Sequence, residues 1–199
     1  MGIPLHGYPA PEGKPVYGSD GRRIIYDENG KPCRTCNTLK NFRMATAKET
    51  TGEKTQSSHA NKALAASAIA GVSATTDKEL APDGYPKDCP ADVEELGRST
   101  WTFLHTVAAT YPESATEQQQ KEMKAFLETF SKIYPCWFCA KGFRKYIKAN
   151  EPKVMTQDEF GRWLCDAHNA VNKKLGKPHF DCNLWKKRWK DGWGDGKCD

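Results

Sequence analysis

Apolar residues recur at helical spacing in four stretches of the C-terminal half of the chain. Val93, Leu96, Trp101, Leu104, Val107 and Ala108 form the first set, and Met123, Phe126, Leu127, Phe130 and Ile133 the second. Ala140, Phe143 and Ile147 form the third; Phe160, Trp163, Leu164, Val171 and Leu175 form the fourth. Each set follows one side of a 3.6-residue repeat, as a helix with one buried stripe requires. Capping signals mark the starts: Asp92-Val93-Glu94-Glu95, Thr116-Glu117-Gln118-Gln119 and Thr156-Gln157-Asp158-Glu159. The first helix is expected to end near Ala109, the second at Tyr134, and the third to run from about Cys136 to Ala149. Gly176 and Pro178 end the fourth, with Lys173 and Lys174 in its last turn. Asp181 caps a short fifth helix that runs through Trp189. The pattern predicts an all-α domain over residues 85–199, a four-helix bundle plus a short fifth helix.

The N-terminal part reads differently. Residues 1–20 are rich in Pro and Gly and are expected to be disordered. Arg22 to Tyr26 suit a short strand, and Asn29-Gly30 a turn that closes a small hairpin. Lys31-Pro32-Cys33-Arg34-Thr35-Cys36 carries a C-x-x-C pair, with little apolar material nearby except Leu39 and Phe42. A zinc ribbon wants its second pair about 15–20 residues away, and the next C-x-x-C lies far beyond that. An exposed, mobile dithiol is the better reading. Residues 1–42 therefore form a flexible N-terminal extension, and 43–84 a flexible linker. Lys62 to Ala70 is marginal as an Ala-rich helix.

Composition narrows the setting. The 199 residues are 38% hydrophobic, with a net charge of +5 and eight cysteines. That many cysteines suggest an oxidising or redox-active environment. The first 20 residues carry Pro4, Pro9, Pro11 and Pro15 and no apolar core, so no secretory signal is expected. No run approaches the roughly 20 apolar residues of a membrane span. No basic stripe interleaved with aromatics points to nucleic acid.

The chemistry centres on Tyr134-Pro135-Cys136-Trp137-Phe138-Cys139. Pro135 cannot continue the second helix but suits the start of the third. The two cysteines then fall in a first helical turn, where free N–H groups and the helix dipole favour a thiolate. A redox disulfide is the functional reading; half a zinc site or a structural staple are the plain ones. A dithiol releases electrons to oxygen or a one-electron carrier slowly by itself, so a flavin is expected. No G-x-G-x-x-G occurs, which excludes a dinucleotide-binding α/β site. Two helices instead present polar groups at helical spacing: Arg98, Trp101 and His105 on the first, and Cys165, His168, Asn169 and Asn172 on the fourth. Lys173, Lys174, Lys177 and Arg188 suit a pyrophosphate, and Trp189 suits stacking on adenine. Each of these has a duller role as core, cap or solvated charge. Cys165 and Cys182 are read as a structural disulfide closing a loop of about 17 residues, worth about 3 kcal/mol; a metal pair with His168 and His179 is the alternative. Cys89 and Cys198 remain as free thiols, an intrachain bridge or a bridge between subunits.

Several motifs together resemble the Erv/ALR family of FAD-linked sulfhydryl oxidases. They are Gly97-Arg98-Ser99-x-Trp101-x-x-Leu104-His105-Thr106, Tyr134-Pro135-Cys136-x-x-Cys139, Cys165-x-x-His168-Asn169-x-Val171-Asn172, Phe180-Asp181-Cys182 and Arg188-Trp189. The segment Lys31 to Leu39 is similar to the shuttle of the mitochondrial long-form members. The resemblance implies a FAD-binding helical bundle, working as a homodimer in the mitochondrial intermembrane space. It implies that Cys139 lies beside the flavin and that Cys136 is the interchange cysteine. Trp101, His105, Tyr134, His168, Asn169, Asn172, Lys174, Lys177, Arg188 and Trp189 would line FAD, with Gly97, Arg98, Cys165 and Lys173 in the same set. Electrons would pass from the import oxidoreductase through Cys33–Cys36 and Cys136–Cys139 to FAD, then to O2 as hydrogen peroxide or to cytochrome c. The resemblance also implies a bond from Cys89 to Cys198 of the partner subunit; no metal is expected. The rival from another class is a non-catalytic, disulfide-stapled import adaptor.

Overall fold

The computed structural model describes residues 14–51 and 89–197. Residues 1–13, most of the expected linker (with Lys62–Ala70) and Cys198 lie outside that set. Five α-helices are present among the described residues: α1 (Leu39–Thr51), α2 (Val93–Ala109), α3 (Glu117–Ile133), α4 (Trp137–Ala149) and α5 (Gln157–Lys174).

The starts of the bundle helices follow from their caps. The Asp92 carboxylate accepts the Glu94 and Glu95 N–H groups at the head of α2, and Thr116 forms a full capping box with Gln119 on α3. Thr156 accepts the Glu159 N–H on α5. Each supplies a partner for backbone donors that a first turn leaves open. Helix α2 packs on α5 and α3 on α4. The shared core is Leu104, Ala108, Tyr111, Leu127, Val154, Phe160, Trp163 and Leu164. Burying side chains of this size contributes about 1.5–3 kcal/mol each. The polar ends of the core are satisfied: the Tyr111 hydroxyl donates to the Val154 carbonyl, and the buried Gln157 amide donates to the carbonyls of Ala109 and Tyr111.

After α5 the chain reverses through Gly176 (φ 66°) and returns across the bundle. The expected fifth helix is a segment of changing pitch. It begins as a 3-10 turn over Cys182–Leu184, capped by Asp181, and widens to a π turn over Lys187–Asp191. Trp185 anchors it, fully buried, with its indole N–H on an Asp158 oxygen. A Cβ at Gly161 would lie 2.5 Å from that indole, so the close packing of α5 on this segment needs glycine there.

Two expectations about the N-terminal part are corrected. Arg22–Tyr26 forms no continuous strand; only the isolated pairs Tyr17–Arg23 and Tyr26–Pro32 are bridged. Pro32 has no N–H with which to extend the ladder. The turn at Asn29-Gly30 does form, with Gly30 at φ 73° and Asp27 accepting the Asn29 and Lys31 N–H groups. Residues 43–51, expected in the linker, continue α1, whose Ala45 packs on Ile24 and Tyr26.

Candidate active site

The sequence between α3 and α4 sets a disulfide at a helix start. Tyr134 closes α3, its N–H bonded to the Phe130 carbonyl. Cys136 is the N-cap of α4, and its sulfur accepts the Cys139 N–H at 3.2 Å. Cys136 and Cys139 are bonded to each other. Cys136 is fully buried and Cys139 half-buried. When this bond is broken, the free N–H groups at the head of α4 stabilise the resulting thiolate.

The second C-x-x-C is also a disulfide, Cys33–Cys36, and its position corrects the expected exposure. Cys33 is 9% and Cys36 7% exposed, in one apolar cluster with Ile25 and Cys136. The physical reason lies in partners far along the chain. The Trp137 indole N–H donates to the Tyr26 carbonyl at 3.0 Å, and the Thr35 hydroxyl to the Pro135 carbonyl at 3.0 Å. Asn37 holds the segment's own shape. Its amide oxygen accepts the Ile25 N–H, and its amide nitrogen donates to the carbonyls of Ile25 and Cys33.

Elsewhere in the bundle, α2, α5 and the C-terminal segment bring four rings together as two stacked pairs. Trp101 lies parallel to His168 at 4.1 Å between centroids, and His105 parallel to Trp189 at 4.4 Å. The two imidazoles meet at 3.1 Å, His105 Nε2 to His168 Nδ1. Burial pushes the His105 pKa down to about 3, aided by the His168 and Arg188 charges. Burial, then Lys177, pushes His168 down to about 4. Both rings are therefore neutral at pH 7, one donating to the other. The Arg188 guanidinium covers Trp189 at 4.2 Å. Tyr134 accepts a hydrogen bond from the Thr100 hydroxyl, and burial raises its pKa.

Other expected residues sit at the rim or in the frame. Cys165 is bonded to Cys182, the structural pairing read from sequence. Asn169 is committed to the frame: its amide exchanges two bonds with the Phe180 backbone and accepts from Asn172. Lys173, Lys174 and Lys177 are exposed around the end of α5, with the Lys174 ammonium beside Gly142 of α4. Gly97 leaves open space where a Cβ would stand. Arg98, further out on α2, pairs with Glu95 at 2.7 Å. Among the described residues no His, Cys, Asp and Glu are grouped to hold a metal ion. Sequence reasoning missed Trp137, which stood as a variable position inside the C-x-x-C, and Asn37, a polar residue without periodic context.

The residues present fit a flat, polar-edged cofactor. His105 Nδ1 is buried without a hydrogen-bond partner, and a buried polar atom of this kind calls for one. The surrounding rings offer stacking faces, and the cations at the rim match an anionic tail. A bundle that holds both a helix-start disulfide and such a group of rings defines a thiol–disulfide exchange protein with a cofactor site.

Known proteins of similar sequence specify it further. Residues 98–190 match the Erv1/Alr family. The chain is 55% identical over 185 residues to the mitochondrial FAD-linked sulfhydryl oxidase ERV1 of Saccharomyces cerevisiae, covering 91% of this chain and 94% of that one. It is 42% identical over 167 residues to the mitochondrial FAD-linked sulfhydryl oxidase erv1 of Schizosaccharomyces pombe, covering 83% and 90%. Among solved structures, the yeast Erv1 core superposes with a TM-score of 0.53 at 64% identity, over 55% of this chain and 92% of that one. The FAD-binding domain of Erv1 from Saccharomyces cerevisiae gives 0.51 at 64% identity, over 52% and 99%. The chain belongs to the Erv1/Alr family.

Proposed function

We propose that this protein carries electrons from the dithiol of a protein substrate, through Cys33–Cys36 and then Cys136–Cys139, to a bound FAD. The enzyme class is that of its family, a FAD-linked sulfhydryl oxidase of mitochondria, and the cofactor is FAD. The observation that carries the path is the single apolar cluster holding Cys33, Cys36 and Cys136, with Cys139 against it.

Each step balances as thiolate exchange. A substrate thiolate attacks the Cys33–Cys36 bond, and the substrate's second thiol closes its own disulfide, leaving Cys33 and Cys36 reduced. A shuttle thiolate then bonds to the Cys136 sulfur, and the Cys136–Cys139 bond breaks with Cys139 leaving as thiolate. The remaining shuttle thiol re-forms Cys33–Cys36, and its proton goes to the released Cys136. Two electrons have moved and both shuttle sulfurs are oxidised again. Bound FAD supplies what thiols lack, uptake of an electron pair and its release together or singly.

The chain's own residues orient that cofactor. Trp101, His105, His168 and Trp189 offer ring faces and a neutral polar edge. Tyr134, Asn169 and Asn172 would line the cofactor, with Gly97, Arg98 and Cys165 in the frame. Lys173, Lys174, Lys177 and Arg188 balance the phosphates. The substrate is the import oxidoreductase of the mitochondrial intermembrane space. The final acceptor is O2, giving hydrogen peroxide, or cytochrome c. The protein works as a homodimer, with the N-terminal segment through α1 as shuttle, the stretch from there to 84 as tether, and 85–199 as the FAD-binding domain.

Cys139→Ser tests the path. The purified variant should be yellow, release flavin on denaturation and oxidise neither dithiothreitol nor protein dithiols. Turnover of dithiothreitol near the wild-type rate would overturn the assignment, and a colourless wild-type protein would favour a stapled adaptor.

A further inference from the structure

The contacts that hold the N-terminal segment also hide the sulfurs. Trp137 and Thr35 clamp it over α4. From α2, the Leu39 N–H is accepted by Asp92 Oδ2 at 2.7 Å, and the Asn37 carbonyl accepts the Val93 N–H at 3.2 Å. Arg34 donates to the Pro90 carbonyl at 2.6 Å, and Arg22 pairs with Glu94 at 3.1 Å. Beneath these bonds Cys136 has no exposed surface, and Cys33 and Cys36 have under a tenth of theirs. A thiolate must reach a sulfur along the S–S axis to displace its partner, so access sets the rate of exchange.

We propose that the seated segment is a cover. While it is held by Trp137, Thr35 and Asp92, no thiol from outside reaches Cys33, Cys36 or Cys136. The segment leaves the bundle to be reduced and returns to deliver, and it thereby limits direct reduction of Cys136–Cys139 by outside thiols to the time it is away. The inference rests on reading Cys33–Cys36 as that shuttle. It adds that Trp137, Thr35 and Asp92 are positioning residues whose loss opens the site. The seat suits such exchange: it is mostly single hydrogen bonds around a small apolar cluster, each of modest net strength.

The test is anaerobic stopped-flow reduction of the FAD-loaded full-length protein by dithiothreitol, followed by loss of flavin absorbance. In the wild type the rate should level off at high thiol concentration, at a ceiling set by departure of the segment. Trp137→Phe removes the indole N–H and keeps a ring; Thr35→Val removes the hydroxyl and keeps the shape. Both lie between paired cysteines, so Asp92→Asn provides a change outside either motif. Asparagine still caps α2 but offers one carbonyl oxygen where aspartate offers two acceptors. At low thiol concentration each variant should be reduced about five-fold faster, the factor set by one hydrogen bond of ordinary net strength. Combining Thr35→Val with Asp92→Asn should give more than either alone. Retained flavin absorbance shows that the variants are folded. Rates at or below wild type in both Thr35→Val and Asp92→Asn overturn the cover. A wild-type flavin that no thiol reduces overturns instead the oxidase reading beneath it.

Discussion

Two histidines that burial keeps neutral make the stack of rings sensitive to acid. His105 and His168 have pKa values pushed down to about 3 and about 4, against an ordinary value near 6.5. Between about pH 4 and 6.5 the unfolded chain binds protons at these positions that the folded chain refuses. Their contribution is thus fully present above pH 6.5 and is lost as the pH falls through that window. Urea unfolding of the FAD-loaded protein should show a lower midpoint at pH 4.5 than at pH 7. The loss should be smaller in His105→Gln/His168→Gln, which has no proton to gain at either site. Equal losses in the two proteins would show that the pair does not carry the effect.

At the level of elements, α5 and the C-terminal segment meet where a backbone and an indole touch. Gly161→Ala sets two effects against each other. Alanine gains about 1 kcal/mol over glycine inside a helix. The added methyl, however, collides with Trp185, which is fully buried and tied to Asp158. Overpacking of that kind costs about 1–3 kcal/mol, so a net loss of up to about 2 kcal/mol is expected as a lower denaturant midpoint. An unchanged midpoint would mean that the indole yields freely. The bundle helices were legible in the sequence because caps such as Asp92 and Thr116, and the apolar repeats, are local signals. The disulfide at the head of α4 was legible for the same reason, through Pro135. The place of Cys33–Cys36 was not, because Thr35 finds Pro135 and Tyr26 finds Trp137 about a hundred residues away. Nothing local encodes such contacts. His105 and His168 were read as members of two helix faces; their contact depends on how α2 packs against α5.

For the whole molecule, Cys89 sits just before α2, unpaired among the described residues. We expect it to bond Cys198 of the partner subunit, and a two-fold pair of subunits forms such a bond twice. Alkylated wild type should run as a dimer on a non-reducing gel and as a monomer after reduction. Cys198→Ser should run as a monomer there yet sediment as a dimer with its flavin, as expected of a bond that reinforces an interface without creating it. Wild type running as a monomer without reductant would remove this bond from the assembly. The returning C-terminal segment is fastened by the Cys165–Cys182 bond, by Trp185 in its notch, and by the Lys190 ammonium on the side-chain amide oxygen of Gln157 at 2.8 Å. For protein engineering this segment is a keystone rather than a tail. A reporter or affinity tag grafted at this end has to begin beyond Gly192, where the chain turns away, because splicing any earlier would remove the piece that locks α5 to the start of the bundle.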